Sequence, residues 1–159
     1  MNFKLRYIKL SQHLVLEDVC KTNHKDLEQA NLEWGLSIRD SLKKTAIAIY
    51  EPLFDIFRSF YITSGARCPV LNDRVGHSKQ HEEGRAFDMC PQAKEVTCEE
   101  VFNYMLNNPH FKCGQVIFYP ENNFIHVSRF DIKYYASHRD FRICRLVDGK
   151  RTYEKITVA

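Results

Sequence analysis

A small single α+β domain, with helices in the N-terminal half and an antiparallel sheet of short strands after them, is the fold class this sequence predicts. Three observations carry the prediction. An apolar stripe at helical spacing runs from Ile38 to Phe57, two hairpin signals crowd the last third of the chain, and 159 residues is the length of one domain with a continuous core. The whole chain, 1–159, is therefore expected to be one unit.

The elements follow in chain order. Thr22 to Leu32 reads as a short helix, with Thr22 or Asn23 to cap it and Leu27, Ala30 and Asn31 near one face. A longer helix is predicted from about Ile38 to Phe57, because Ile38, Leu42, Ala46, Ile49, Leu53 and Phe57 recur three or four residues apart. Pro52 lacks the amide hydrogen that a straight helix needs there, so a kink or break is expected near Tyr50-Glu51. Phe60 to Thr63 is a strand feeding the turn-rich Ser64-Gly65-Ala66-Arg67.

A third helix is expected from Cys98 to Asn107. Thr97 caps its first turn while Glu100 reaches back, and Asn107-Asn108-Pro109 stops it. Gln115 to Tyr119 and Phe124 to Ser128 form a hairpin around Pro120-Glu121-Asn122-Asn123, with Phe124, His126 and Ser128 on one face and Ile125 and Val127 on the other. Phe141 to Val147 and Thr152 to Val158 form a second hairpin around Asp148-Gly149-Lys150.

Composition narrows the function classes. The formal charge is only +3, and the basic residues near Lys43-Lys44 and between Arg139 and Arg151 are interrupted by acids and apolar residues, which argues against nucleic-acid binding. Six scattered cysteines form no Cys-x-x-Cys pair and read as free structural thiols in a reducing compartment. MNFKLRYIKLSQH holds no apolar run ending at a cleavage site, and no later segment is long and apolar enough to insert in a membrane. Synthesis and folding in the cytoplasm of the producing cell are expected.

The stretch QHEEGRAFD holds His81 and Asp88 seven residues apart, with Gly84 and Ala86 between them. That spacing fits a turn and the start of a strand, so the two side chains can converge, and His126 can join them from the hairpin. Two imidazoles and a carboxylate are a donor set for zinc that leaves a fourth position to water. Such an ion lowers the pKa of bound water and polarises a carbonyl, which implies hydrolysis. Each residue taken singly has a plainer role: His126 as a half-buried strand residue, Asp88 as a turn acid, the trio as scattered polar residues.

The full pattern resembles a known family. His81-x-x-Gly84-x-Ala86-x-Asp88, preceded by Thr63-Ser64-Gly65-Ala66-Arg67-Cys68-Pro69-Val70-Leu71-Asn72 and followed by Phe124-Ile125-His126-Val127-Ser128, is similar to the zinc D-Ala-D-Ala carboxypeptidases, the M15 peptidases. It looks closest to their compact branch in bacteriophage cell-wall hydrolases, over roughly Leu10 to Ser128. The resemblance implies a zinc metallopeptidase of carboxypeptidase or endopeptidase type, acting as a monomer on peptidoglycan peptides at the bacterial cell wall after release or delivery. It makes His81, Asp88 and His126 the Zn2+ ligands, and Arg67 the group that steadies substrate oxygen. The fixed fork of donors on a guanidinium suits that task.

Two departures stand out. Lys79 occupies the position two before the first histidine where the family usually has serine, and Asn123 stands three before the last histidine where many members have a catalytic carboxylate. An amide cannot accept a proton as a carboxylate does. Glu121 is the nearest acidic substitute, ahead of Glu82 and Glu83, although a solvated turn acid is its plainer role. His77 reads as a loop residue or a partner to a ligand. Tyr104, Tyr119, Phe124, Tyr134 and Tyr135 are candidates to border a peptide groove, or are simply packed. The competing class is a noncatalytic, zinc-stabilised domain that binds peptide or peptidoglycan.

Overall fold

Pro52 shapes the first half of the chain. In the structure, a computed structural model that describes residues 7–157, the predicted Ile38–Phe57 helix is a continuous helical path in three parts. It follows α1 (Leu16–Cys20), a short 3-10 turn (Lys25–Leu27) and α2 (Glu28–Ser37). Its parts are α3 (Arg39–Thr45), a π-helical turn (Ala46–Tyr50) and α4 (Glu51–Phe57). Pro52 offers no N–H and its ring crowds the preceding turn. The helix widens just before it, and the Glu51 N–H bonds the Ala46 carbonyl five residues back. The stripe survives the widening, with Leu42, Ala46, Ile49 and Leu53 all fully buried.

The first predicted helix is displaced. Regular α-helix begins at Glu28 and runs on to Ser37, and its buried face is Asn31, Leu32 and Gly35, while Ala30 is exposed. Asn31, expected near one face with Leu27 and Ala30, is fully buried and has a specific task. Its side-chain NH2 donates to the carbonyls of Cys20 (2.8 Å) and Ala66 (3.0 Å), and its Oδ1 accepts from the Cys68 N–H at 2.8 Å. One buried amide thus ties α1, α2 and the loop that carries Arg67.

After α4 come β1 (Phe60–Ser64), α5 (Pro69–Val75), α6 (Lys79–Glu82), β2 (Ala86–Pro91) and α7 (Cys98–Asn107). The strands β3 (Cys113–Tyr119), β4 (Phe124–Arg129), β5 (Asp140–Val147) and β6 (Lys150–Ile156) complete the chain. The Thr97/Glu100 capping box opens α7 as expected. The six strands form one sheet in the order β1-β2-β4-β3-β5-β6, antiparallel throughout except that β5 runs parallel to β3. The second hairpin turns on Asp148 and Gly149, both at positive φ, which suits a tight two-residue connection. Val158, the end of the predicted last strand, lies outside the described residues.

Strand alternation gives the sheet two unlike faces. Phe87, Met89, Val116, Ile125, Val127 and Phe141 are fully buried in the main core with the helices, where Phe102 of α7 meets Phe141 edge-on. The other face carries Asp88, His126 and a small buried group of Ile117, Tyr119 and Cys144 with Phe124 against it. His126 therefore lies opposite Ile125 and Val127, as the hairpin pattern predicts. All six cysteines are free thiols, five of them buried. Among the described residues no helix is long and apolar enough to cross a membrane.

Replacing Asn31 with alanine removes three hydrogen bonds from a buried site and is expected to lower unfolding free energy by roughly 2–4 kcal/mol. Urea denaturation of the two proteins measures it; a change below about 0.5 kcal/mol would show that water replaces the amide without cost.

Candidate metal centre

Cross-strand register brings the site together. Asp88 on β2 stands directly opposite His126 on β4, and His81 enters from α6. All three are buried, and one donor atom from each meets the others in a tight triangle. His126 Nδ1 is 2.8 Å from Asp88 Oδ1, His81 Nε2 is 3.1 Å from the same oxygen, and the two imidazole nitrogens are 3.2 Å apart.

The outer atoms of each ligand have partners that fix its orientation. His81 Nδ1 lies 2.8 Å from the Gly65 carbonyl, an acceptor only, so that nitrogen carries the proton and Nε2 presents a lone pair inward. His126 Nε2 lies 2.6 Å from Gln80 Oε1, which likewise leaves Nδ1 as the inward lone pair. Asp88 divides its carboxylate: Oδ1 faces the histidines and Oδ2 accepts from Arg67 Nη2 at 2.8 Å. Three acceptors therefore face one another, an arrangement that a cation relieves. Around a tetrahedral zinc with bonds of 2.0–2.1 Å, such donors stand roughly 3.3 Å apart, so the triangle fits after slight expansion.

The turn between the ligands is clamped from the helices. Trp34 Nε1, the Ser41 hydroxyl and the Thr45 hydroxyl donate to the carbonyls of Glu82 (3.0 Å), Glu83 (2.6 Å) and Gly84 (2.7 Å). Gly84 has φ +66, and a Cβ there would press on Ile38 and Leu42 at 3.1 Å. Its glycine thus serves the turn and the close approach of the helix. Asn72, the last residue of the Arg67 motif, is buried, accepts from the Ser78 N–H and donates to Glu82. It joins α5 to α6 across the segment in which Lys79 stands where the resemblance expects serine.

Electrostatics agree with the geometry. Burial lowers the His81 pKa from its usual 6.5 by disfavouring the imidazolium, which keeps the imidazole neutral and able to ligate. Burial would raise that of Asp88, but once an adjoining imidazole takes up a proton, its charge and N–H outweigh burial and hold the carboxyl well below the usual carboxylate range.

The triangle lies in a cavity of about 270 Å³. Arg67, Gln80 and Ser78 line one part of it, Tyr119 and Phe124 another, and Arg151 and Tyr153 of β6 a third. Arg67 is fixed by bonds to Asp88 and, through Nε, to Ser64 Oγ at 2.8 Å. Asp88 is the one carboxylate among the lining residues. Glu121 is exposed on the 3-10 turn Pro120–Asn122 and is not among them. Asn123, which follows, is also exposed and adopts the left-handed region at φ 51, a conformation asparagine tolerates better than most residues. Glu82 is held by Lys79 and Asn72, and Glu83 by Arg85 and Tyr134. His77 is exposed beside Asp73, away from the ligands.

Of the five candidate groove aromatics, Tyr119 and Phe124 reach the cavity. Tyr104 packs on Phe57 and Phe111, Tyr134 lies under Arg85, and Tyr135 is exposed. Sequence reasoning missed Gln80, Arg151 and Tyr153. The adjacency of Gln80 to a ligand was a signal in principle; nothing in the chain marks β6 as part of the site. A larger hollow beside α7, of about 470 Å³, has Glu100 as the one carboxylate among its described lining residues, and that carboxylate already serves the helix cap.

Fold and site together define a hydrolase-type metal centre on an α+β scaffold. A sequence profile of the M15 peptidases matches residues 12–128, and the chain belongs to that family of zinc metallopeptidases. No curated protein and no solved structure gives a significant match.

Two outcomes test the centre. Gln80→Ala should leave the fold intact and weaken zinc binding about 10- to 100-fold, the usual cost of losing a partner that orients a ligand; titration against a chelating indicator reads it. For the metal-free protein, both ligand shifts act in one direction. A lowered histidine value means that the unfolded chain binds the proton first, so stability falls as pH drops below about 6.5, and the lowered Asp88 value extends the loss through the carboxylate range. Thermal midpoints from pH 8 to 4, without metal, should decline over that window.

Proposed function

We propose that this protein is a zinc-dependent peptidase that cleaves peptide bonds in bacterial peptidoglycan stem peptides or their cross-links, in the manner of a D-Ala-D-Ala carboxypeptidase or endopeptidase. The observation that carries this reading is the set of three inward lone pairs, from His81, Asp88 and His126, at an open cavity of an M15 peptidase. These three residues hold the ion. Bound zinc supplies a Lewis acid that polarises a carbonyl and brings the pKa of water near neutrality.

Arg67 stabilises the oxygen that gains charge during attack. Its Nε and one Nη are committed to Ser64 and Asp88, which fixes the guanidinium plane, and its other Nη has no hydrogen bond to any described residue. Glu121 accepts the proton of the attacking water and passes it to the leaving amine, for which the Pro120–Asn123 turn must bring it inward. The protein works as a monomer and reaches the cell wall from the cytoplasm of the producing cell on phage-mediated lysis or delivery.

A second reading, a noncatalytic zinc-stabilised domain that binds stem peptides, is favoured by one observation: among the described residues no free carboxylate lines the cavity. Assays of zinc-loaded protein on defined stem peptides separate the two. Glu121→Gln should keep its zinc and lose about 100-fold or more in turnover, unlike Glu82→Gln and Glu83→Gln. Arg67→Lys, which keeps the charge and loses the fork, should also slow turnover. Wild-type-like cleavage by Glu121→Gln removes that residue from the mechanism, and stoichiometric zinc without any cleavage by the wild type establishes the binding domain instead.

A further inference from the structure

The cavity is completed by a part of the chain outside the matched family span. Strand β6 follows residue 128, yet its Arg151 and Tyr153 form part of the wall around the metal centre. The pairing scheme explains how. Cys144 stands opposite Tyr153 and Leu146 opposite Arg151 across the β5–β6 ladder, and Cys144 belongs to the same buried group as Ile117 and Tyr119. Arg151 and Tyr153, two residues apart, therefore share the face of the sheet that carries His126.

Arg151 is also held in place. Its guanidinium carbon lies 5.6 Å from the centre of the Tyr119 ring, within cation–π range. Tyr119 is itself stacked on Phe124 at 4.3 Å and meets Tyr153 edge-on. No carboxylate among the described residues lies within ion-pair distance of Arg151, whereas Asp88, the one acid lining the cavity, is already bonded to Arg67. Two arginines against one aspartate leave the cavity cationic, and a bound divalent ion adds to the excess.

We infer that Arg151 is a specificity residue that receives a carboxylate of the bound peptide. A guanidinium without an acidic partner, braced on an aromatic ring beside a cationic metal centre, is matched by an anionic group of the ligand. The carboxylate has two sources in a peptide: the free C-terminus or an acidic side chain. The first makes the site one for trimming chain ends, the second one for acidic positions within the peptide. This inference rests on the reading of the cavity as a peptide site, but not on turnover.

The test uses zinc-loaded full-length protein and three ligands based on acetyl-Lys-D-Ala-D-Ala, with the last amide replaced by a ketomethylene link so that none is cleaved. One is a free acid, one a C-terminal amide, and one an amide with an internal glutamate. Calorimetry should show the wild type binding one carboxylate-bearing ligand at least about fivefold more tightly than the plain amide, the scale of a partly exposed ion pair. Arg151→Gln should abolish that preference and Arg151→Lys should retain part of it, with zinc content and thermal midpoint confirming that both variants fold. Whichever ligand shows the preference identifies the carboxylate read. Equal binding of all three by the wild type, or a preference that survives in Arg151→Gln, overturns the inference. A preference that depends on Arg151 in a protein that cleaves no stem peptide upholds the carboxylate site while counting against the peptidase reading.

Discussion

Three lone pairs aimed at one point are the constraint on which the rest of this structure depends. Nε2 of His81, Nδ1 of His126 and Oδ1 of Asp88 stand within 3.2 Å of one another. Without a cation they repel, so the protein must hold them together from outside. It does so at the atom beyond each donor, through the Gly65 carbonyl, the Gln80 amide oxygen and the Arg67 guanidinium. Gly65 and Arg67 belong to one loop, between β1 and α5, and Gln80 belongs to α6. Removing a brace leaves the ligands in the sequence but frees them to turn apart.

The tying explains features that look decorative in isolation. The Arg67 loop is fixed by the buried amide of Asn31, while three side chains of α2 and α3 grip the backbone carbonyls between Glu82 and Gly84. The helical layer thus positions the turn that separates two ligands, and the sheet register positions the third. This division of labour suits a site that must be rigid to about half an ångström, because strands and clamped turns move less than free loops.

Local signals were legible in the sequence where neighbours in the chain decide the outcome. The capping box of α7, the face of the β4 hairpin that bears His126 and the helical stripe through Leu42 and Leu53 all depend on spacing alone, and all are present. The kink expected at Pro52 takes the form of a π turn, which spacing could not specify. The helices α5 and α6 are too short to show a period, and α2 is held by the buried amide of Asn31, whose hydrogen-bond partners lie far along the chain and leave no mark in an apolar pattern. The parallel β3–β5 pair and the arrival of Arg151 at the cavity are contacts distant in sequence, fixed by the closing of the sheet. Among the site residues, the metal-binding trio was legible through its motif, whereas the task of Gln80 shows in the direction of the His126 ring, a contact 46 residues away in sequence.

The same contrast bears on the missing carboxylate. A family carboxylate at position 123 would sit where this chain's backbone is left-handed, at the end of a proline-led 3-10 turn, and asparagine suits that backbone better than glutamate does. The turn and the residue at position 123 are therefore one feature of the β3–β4 connection, which also sets Glu121 on its exposed side. Meanwhile β6 adds a guanidinium to the cavity wall, over the ring of Tyr119 that leads into this turn. Among the described residues the cavity thus carries one aspartate against two arginines, Arg67 and Arg151. That balance favours capture of an anionic ligand, and in the proposed mechanism removal of the proton depends on how far a three-residue turn can swing.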